Sequence, residues 1–148
     1  MIAARRARRR RSGQPAEHSV KPRPGNAPAI GSAPAQRQGA AAEDRACAYL
    51  RARGLRIEAR NMRYRLGEID AVAVDGATWV FVEVRCRARA GDAAASIDAR
   101  KRGRIRRAAQ LYLLERFGDH WPACRFDVVV VHGSRLEWLP SAFTGEEE

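Results

Sequence analysis

Two short segments bring acidic side chains into otherwise apolar surroundings. They are Gly67-Glu68-Ile69-Asp70 and Phe81-Val82-Glu83-Val84-Arg85. Asp75-Gly76 lies between them and is a strong signal for a two-residue hairpin turn. A turn at that point pairs Ala73 with Thr78, Ile69 with Val82 and Glu68 with Glu83. One face of the pair then carries Glu68, Asp70, Val72, Trp79, Phe81, Glu83 and Arg85. The other carries Ile69, Ala71, Ala73, Val80, Val82 and Val84, and must be core because it is wholly apolar. Asp70 and Glu83 become diagonal neighbours, about 7–8 Å apart at Cα. Carboxylates that close repel each other unless a proton or a cation stands between them. Oxygen donors at this spacing suit Mg²⁺ or Mn²⁺. The simpler reading is a solvated strand face on which Arg85 neutralises Glu83.

Two helical patterns point further charges at the same place. Glu43 shares the spacing of Cys47 and Leu50, so it lies on or beside an apolar stripe, where a lone carboxylate is costly. Lys101 falls on the stripe Ile97, Lys101, Ile105, Ala108, Tyr112 of a second helix. Arg100, Arg104 and Arg107 form an outward ridge on that helix. They are natural phosphate contacts, or else an ordinary solvated face. His120 and His132 have no Cys or Ser at nucleophile spacing and read as loop or turn residues.

The elements that must position these groups follow from periodicity and turn residues. Residues 40–53 read as an Ala-rich helix closed by Gly54. Leu55–Asn61, Gly67–Val74 and Ala77–Arg87 read as strands of an antiparallel meander. Residues 88–95 read as a loop. Ser96 or Asp98 caps a helix that runs to Phe117. Arg125–His132 contains Val128–Val131, the continuous apolar run of a buried strand. Gly133-Ser134 turns the chain into a short strand, Arg135–Leu139. The expected order is α-β-β-β-α-β-β. This is an α/β fold in which the long helix lets the fourth strand run parallel to a partner in a mixed sheet.

Composition limits the function classes. The 148 residues hold 28 Lys and Arg against 17 Asp and Glu, a net charge of +11. Residues 1–38 carry nine of the basic residues, one acid and five of the seven prolines, with no aromatic residue. That segment reads as a disordered basic tail and residues 39–148 as the folded domain. Three readings of the tail stand side by side: a solvated extension, a non-specific polyanion contact, and a transit-like segment or over-long start. No run of about 18 apolar residues is present, which excludes a membrane-spanning helix. Cys47, Cys86 and Cys124 lie far apart without a CxxC pair. That spacing argues against a zinc ribbon or redox motif and fits a reducing, cytoplasmic setting.

The blocks Gly67-Glu68-Ile69-Asp70, Phe81-Val82-Glu83-Val84-Arg85, Lys101 ahead of Arg104-Ile105 and Tyr112-Leu113, and Arg125-Phe126-Asp127-Val128 resemble the YraN-like family of bacterial proteins. That family belongs to the restriction-endonuclease-like superfamily, whose signature is an Asp followed by Glu-x-Lys. It is also similar to archaeal Holliday junction resolvases. The resemblance covers roughly residues 38–143 and implies a restriction-endonuclease-like fold. It further implies Mg²⁺- or Mn²⁺-dependent hydrolysis of DNA phosphodiester bonds, with branched or damaged DNA as the candidate substrates. Glu43 then matches the helix carboxylate, and Asp70 and Glu83 match the metal-binding strand carboxylates. Arg85 stands where the superfamily has Lys, and Lys101 is the alternative source of that ammonium. Nucleic acid is the implied partner, DNA ahead of RNA, and the resolvase likeness implies a possible homodimer. The rival is a nucleic-acid-binding protein that kept the fold and lost the chemistry. Asp127 is expected to pair with a nearby Arg and to take no catalytic part.

Overall fold

The computed structural model describes residues 34–86 and 97–145, with side chains from residue 39 onward. The elements are α1 (Pro34–Ala52), β1 (Arg56–Tyr64), β2 (Gly67–Asp75), β3 (Thr78–Cys86), α2 (Ala99–Phe117), β4 (Cys124–His132) and β5 (Arg135–Phe143). The five strands form one sheet in chain order. Only β3 and β4 run parallel, and α2 is the connection between them. This is the expected α-β-β-β-α-β-β arrangement in a mixed sheet. The predicted loop at 88–95 and the Ser96 cap lie outside the described residues.

Each face of the sheet is covered by one helix. Val72, Val74, Trp79, Phe81, Phe126, Val128 and Val130 form a core with Ile105, Ala108, Ala109, Tyr112 and Leu113 of α2. Ala71, Ala73, Val80, Val82, Val129 and Val131 form another with Ala42, Ala46, Cys47 and Leu50 of α1. Consecutive valines of β4 therefore enter opposite cores. That is why this strand reads as an unbroken apolar run and not as an alternation.

Several boundaries differ from expectation for local reasons. Helix α1 starts at Pro34, inside the segment read as tail. Proline suits the first helical turn, where its missing N–H costs nothing. Gly54 ends the helix with φ +92, as a left-handed C′ residue should. Asp98 caps α2 by accepting a hydrogen bond from the Lys101 N–H at 2.8 Å. Strand β1 has an irregularity between Ile57 and Ala59 and runs on past Asn61 to Tyr64, with Asn61 itself at φ +52. Strand β5 continues beyond Leu139 through Pro140 to Phe143. It is an edge strand, where a missing N–H is tolerated.

The buried carboxylate of Asp127 shapes that edge. It accepts from Arg125 Nε at 3.0 Å, Trp138 Nε1 at 3.0 Å and the Ser141 N–H at 2.9 Å. The bond to Ser141 secures the left-handed turn of φ +52 beyond Pro140. Arg125 also reaches Asp75 at 2.9 Å, so the charge is shared between two acids. Asp127 is thus a structural anchor paired with an arginine.

The register of the β2–β3 hairpin corrects the expectation. Thr78 faces Asp75, Val80 faces Ala73 and Val82 faces Ala71. The expected partners, Thr78 with Ala73 and Val82 with Ile69, are displaced by two residues. The turn residues are Gly76-Ala77, with positive φ at Gly76 and not at Ala77. That is the pattern of a turn with glycine at its first central position, one residue later than Asp75-Gly76. A slip of two leaves every β3 side chain on its predicted face, because the strand period is two.

Gly67 fixes where α2 lies. A Cβ at this position would overlap the backbone carbonyl of Arg104. Backbone cannot yield as a flexible side chain does, so only glycine allows strand and helix to approach this closely at this point. Gly67→Ala is expected to lower stability by about 1–3 kcal/mol through overpacking, read as a fall in the urea midpoint. An unchanged midpoint would show that the helix can move away at no cost.

Candidate functional site at a fork between two strands

The alternation of β2 fails at Asp70. Ile69 packs in the α2 core with Val72, whereas Ala71 packs in the α1 core. The expected face with Ile69, Ala71 and Ala73 together is therefore wrong. The paired register of β2 and β3 ends at Ala71 and Val82. Beyond it Asp70 Oδ2 accepts the Val84 N–H at 2.8 Å. A side-chain oxygen takes the place of a backbone carbonyl, and the strands fork around it.

Glu83 stands at this fork and is only 5% exposed. Burial and the negative charge of Asp70 push its carboxyl up to about 7, while Lys101 pulls the other way. Its side chain hydrogen-bonds Asp70. The two carboxyl groups are thus direct partners and not the diagonal neighbours expected. The reason is the corrected register together with the break in β2. Lys101 Nζ lies 2.6 Å from Glu83 Oε1. Arg85 is farther, with Nη1 at 3.8 Å. The apolar stripe of α2 carries Lys101 to this point, held by the Asp98 cap at the helix start.

The α1 side contributes Glu43, half-buried beside the stripe of Ala42, Ala46, Cys47 and Leu50. Burial and Asp70 raise its pKa, while a hydrogen bond from Asn61 and the charge of Arg60 oppose the rise. Arg60 Nη2 lies 3.9 Å from Glu43 and 2.7 Å from Asp44. Helices from both faces therefore deliver one charge each to the two ends of the Asp70–Glu83 pair. Asn61 escaped the sequence reading. Its signal was an Asn, a residue that tolerates left-handed backbone, at the expected strand end.

An open depression of about 400 Å³ adjoins the fork. Glu68, Glu83, Asp98, Arg100, Lys101, Arg104 and Ile105 line it. Arg100, Arg104 and Arg107 are all exposed, as the predicted ridge requires, and the first two reach the depression. Trp79 and Phe81 pack beneath α2 against Tyr112 and so are core residues.

The donor set can be judged for a hard cation. Among the described residues no group of three His, Cys, Asp or Glu side chains is spaced to hold a metal ion. Asp70 and Glu83 nevertheless supply hard oxygen donors in contact with one another, an arrangement that needs a proton or cation between them. The pair fits a divalent cation completed by backbone carbonyl and solvent oxygen, as Mg²⁺ commonly is.

A raised carboxyl pKa has a definite linkage sign. The folded protein keeps a proton on Glu83 that the unfolded chain releases near 4.5. This contribution to stability is present below pH 4.5 and is lost as pH rises through about 7. Glu83→Gln is expected to flatten the decline in stability between pH 5 and 8, by an amount on the order of 2–3 kcal/mol. Urea melts at both pH values check this, and an equally steep decline in the variant would place the strain on another group.

Comparison with known proteins identifies relatives. The profile of the uncharacterised protein family UPF0102 matches residues 42–131. A UPF0102 protein of Bordetella petrii is 47% identical over 146 residues, covering 95% of this chain and 88% of its own. A UPF0102 protein of Ralstonia nicotianae is 51% identical over 111 residues, 71% of this chain and 85% of its own. One from Dechloromonas aromatica is 50% identical over 112 residues, 74% of this chain and 91% of its own.

Proposed function

We propose that this chain, which belongs to the uncharacterised protein family UPF0102, is a divalent-metal-dependent nuclease that hydrolyses DNA phosphodiester bonds. The observation that carries this reading is the pairing of buried Glu83 with half-buried Asp70, with Lys101 Nζ 2.6 Å from Glu83 at the edge of an arginine-rimmed depression. Two acids forced together, one cation beside them and guanidinium groups around them match what phosphodiester hydrolysis demands. A Mg²⁺ or Mn²⁺ ion would be held by Asp70 and Glu83, with the Val84 carbonyl as a further oxygen donor, and would supply polarisation of the scissile phosphate and acidification of a water molecule. Arg100 and Arg104 bind the flanking phosphates, with Arg107 further along the ridge. Lys101 stabilises negative charge that develops on the phosphate. Glu43 adds to the field at Asp70. DNA is the favoured nucleic acid over RNA, branched or damaged duplex the favoured form, and the cytoplasm the favoured setting. Among the described residues no helix is long and apolar enough to cross a membrane.

The role of the superfamily lysine goes to Lys101 in this reading, because its ammonium is nearer Glu83 than the Arg85 guanidinium is. A guanidinium is bulkier and cannot serve as a base. The same contact supports a second reading. Lys101 already supplies Glu83 with a cation, so the chain is alternatively a nucleic-acid-binding protein without catalysis.

Incubation of the full chain with intact, gapped and branched DNA, with and without Mg²⁺ or Mn²⁺, separates the two. The nuclease reading expects metal-dependent cleavage. Asp70→Asn and Lys101→Ala then lower the rate by roughly 100-fold or more, and Arg85→Lys changes it by less than about threefold. Salt-sensitive binding without cleavage under any condition would replace it with the second reading. Cleavage lost in Arg85→Lys and kept in Lys101→Ala would make Arg85 the working cation.

A further inference from the structure

The hairpin between β1 and β2 carries a surface that the proposed chemistry leaves unused. Tyr64 and Gly67 pair at its end, so Arg65-Leu66 is the two-residue tip. Arg63, Arg65 and Leu66 are exposed, and Leu66 is 51% exposed. Turn positions ordinarily favour Gly, Asn, Asp or Ser, which satisfy the backbone locally. An arginine and a leucine here serve neither the turn nor the core.

The hairpin is also held in a definite place. Gly67 sits against the Arg104 carbonyl of α2. Tyr64 Oη lies 3.5 Å from Glu115 on the same helix. Arg63 Nε is 3.9 Å from Glu68 Oε2, and Glu68 lines the depression with Glu83, Lys101, Arg100 and Arg104. The exposed basic tip thus stands beside the rim where the scissile strand is placed. Arg63 partly offsets Glu68, an exposed carboxylate on that rim.

We propose that this hairpin is a second DNA contact, with Arg63 and Arg65 on backbone phosphates and Leu66 against a sugar or base face. The proposal rests on the nuclease reading only in that DNA crosses the depression. Charged and apolar contacts have separable signatures. Each phosphate contact releases counterions and steepens the salt dependence of binding by about 0.9 in the logarithmic slope for duplex DNA. An apolar contact adds affinity without changing the slope.

The test uses the full chain, a fluorescein-labelled gapped duplex and EDTA, with anisotropy titrations over a range of salt. Arg63→Ala with Arg65→Ala is expected to lower the slope by about 2. Arg63→Lys with Arg65→Lys keeps the charges and should keep the slope, which guards against a loss caused by misfolding. Leu66→Ser is expected to weaken binding roughly three- to tenfold at one salt concentration with the slope unchanged. Arg51→Ala is the control, because Arg51 lies in the last turn of α1, near in sequence to Arg56 at the opposite end of β1 from the hairpin tip. A wild-type slope in the double alanine variant overturns the phosphate contact, and the nuclease reading survives it if Arg104→Ala still lowers the slope. Wild-type affinity in Leu66→Ser overturns the apolar contact. Failure of the wild-type chain to bind DNA at all overturns the underlying reading together with the hairpin's part in it.

Discussion

One hydrogen bond organises the site: the carboxylate of Asp70 accepting the Val84 N–H. A sheet normally closes such an N–H with a carbonyl of the neighbouring strand. Here β2 turns out of register, and an ionisable side chain fills the gap. The donor is satisfied, so the fork costs little backbone hydrogen bonding. The consequence is that Asp70 is fixed by main chain and directed at Glu83. Glu83 follows Phe81 on the face covered by α2 and, though nearly buried, lines the depression.

Everything around the fork answers the resulting charge problem. Burial of Glu83 and the charge of the neighbouring Asp70 favour the protonated form of Glu83, which is why it sits so high. Lys101 relieves part of that strain at 2.6 Å. The position of Lys101 depends on α2, and α2 is seated by the bare backbone of Gly67 against Arg104. On the opposite face α1 brings Glu43, with Arg60 and Asn61 as its partners. The site is therefore assembled between layers, with the sheet supplying the acids and the helices supplying the groups that tune them. Asp127 shows that a buried carboxylate is not by itself a functional signal here. Its donors come from Arg125, Trp138 and Ser141, so its charge is matched and spent on the β5 edge.

Much of this was legible from residue patterns, for reasons particular to each element. The Val128–Val131 run could only be a strand buried on both faces. The spacing of Ile105, Ala108 and Tyr112 required a helix with one buried face, and Lys101 on that stripe had to point at the sheet. Glu43 beside Cys47 and Leu50 had to lie near the opposite core. What was illegible was local irregularity. Gly76 takes the first turn position, Asn61 and Ser141 adopt positive φ, and Pro140 lies within an edge strand. Two of these have partners distant in sequence, Asp127 for Ser141 and Glu43 for Asn61.

The amino-acid order alone determined the succession of elements, which faces of the helices and of β3 are apolar and which charges are turned toward the sheet, because periodicity and turn chemistry are short-range. The tertiary structure decided that Asp70 and Glu83 are hydrogen-bonded partners, and that Lys101 stands closer to Glu83 than Arg85 does. Alternation along a strand cannot reveal its own interruption. The break at Asp70 exists only because Val84, on another strand, offers an N–H that the carboxylate can take.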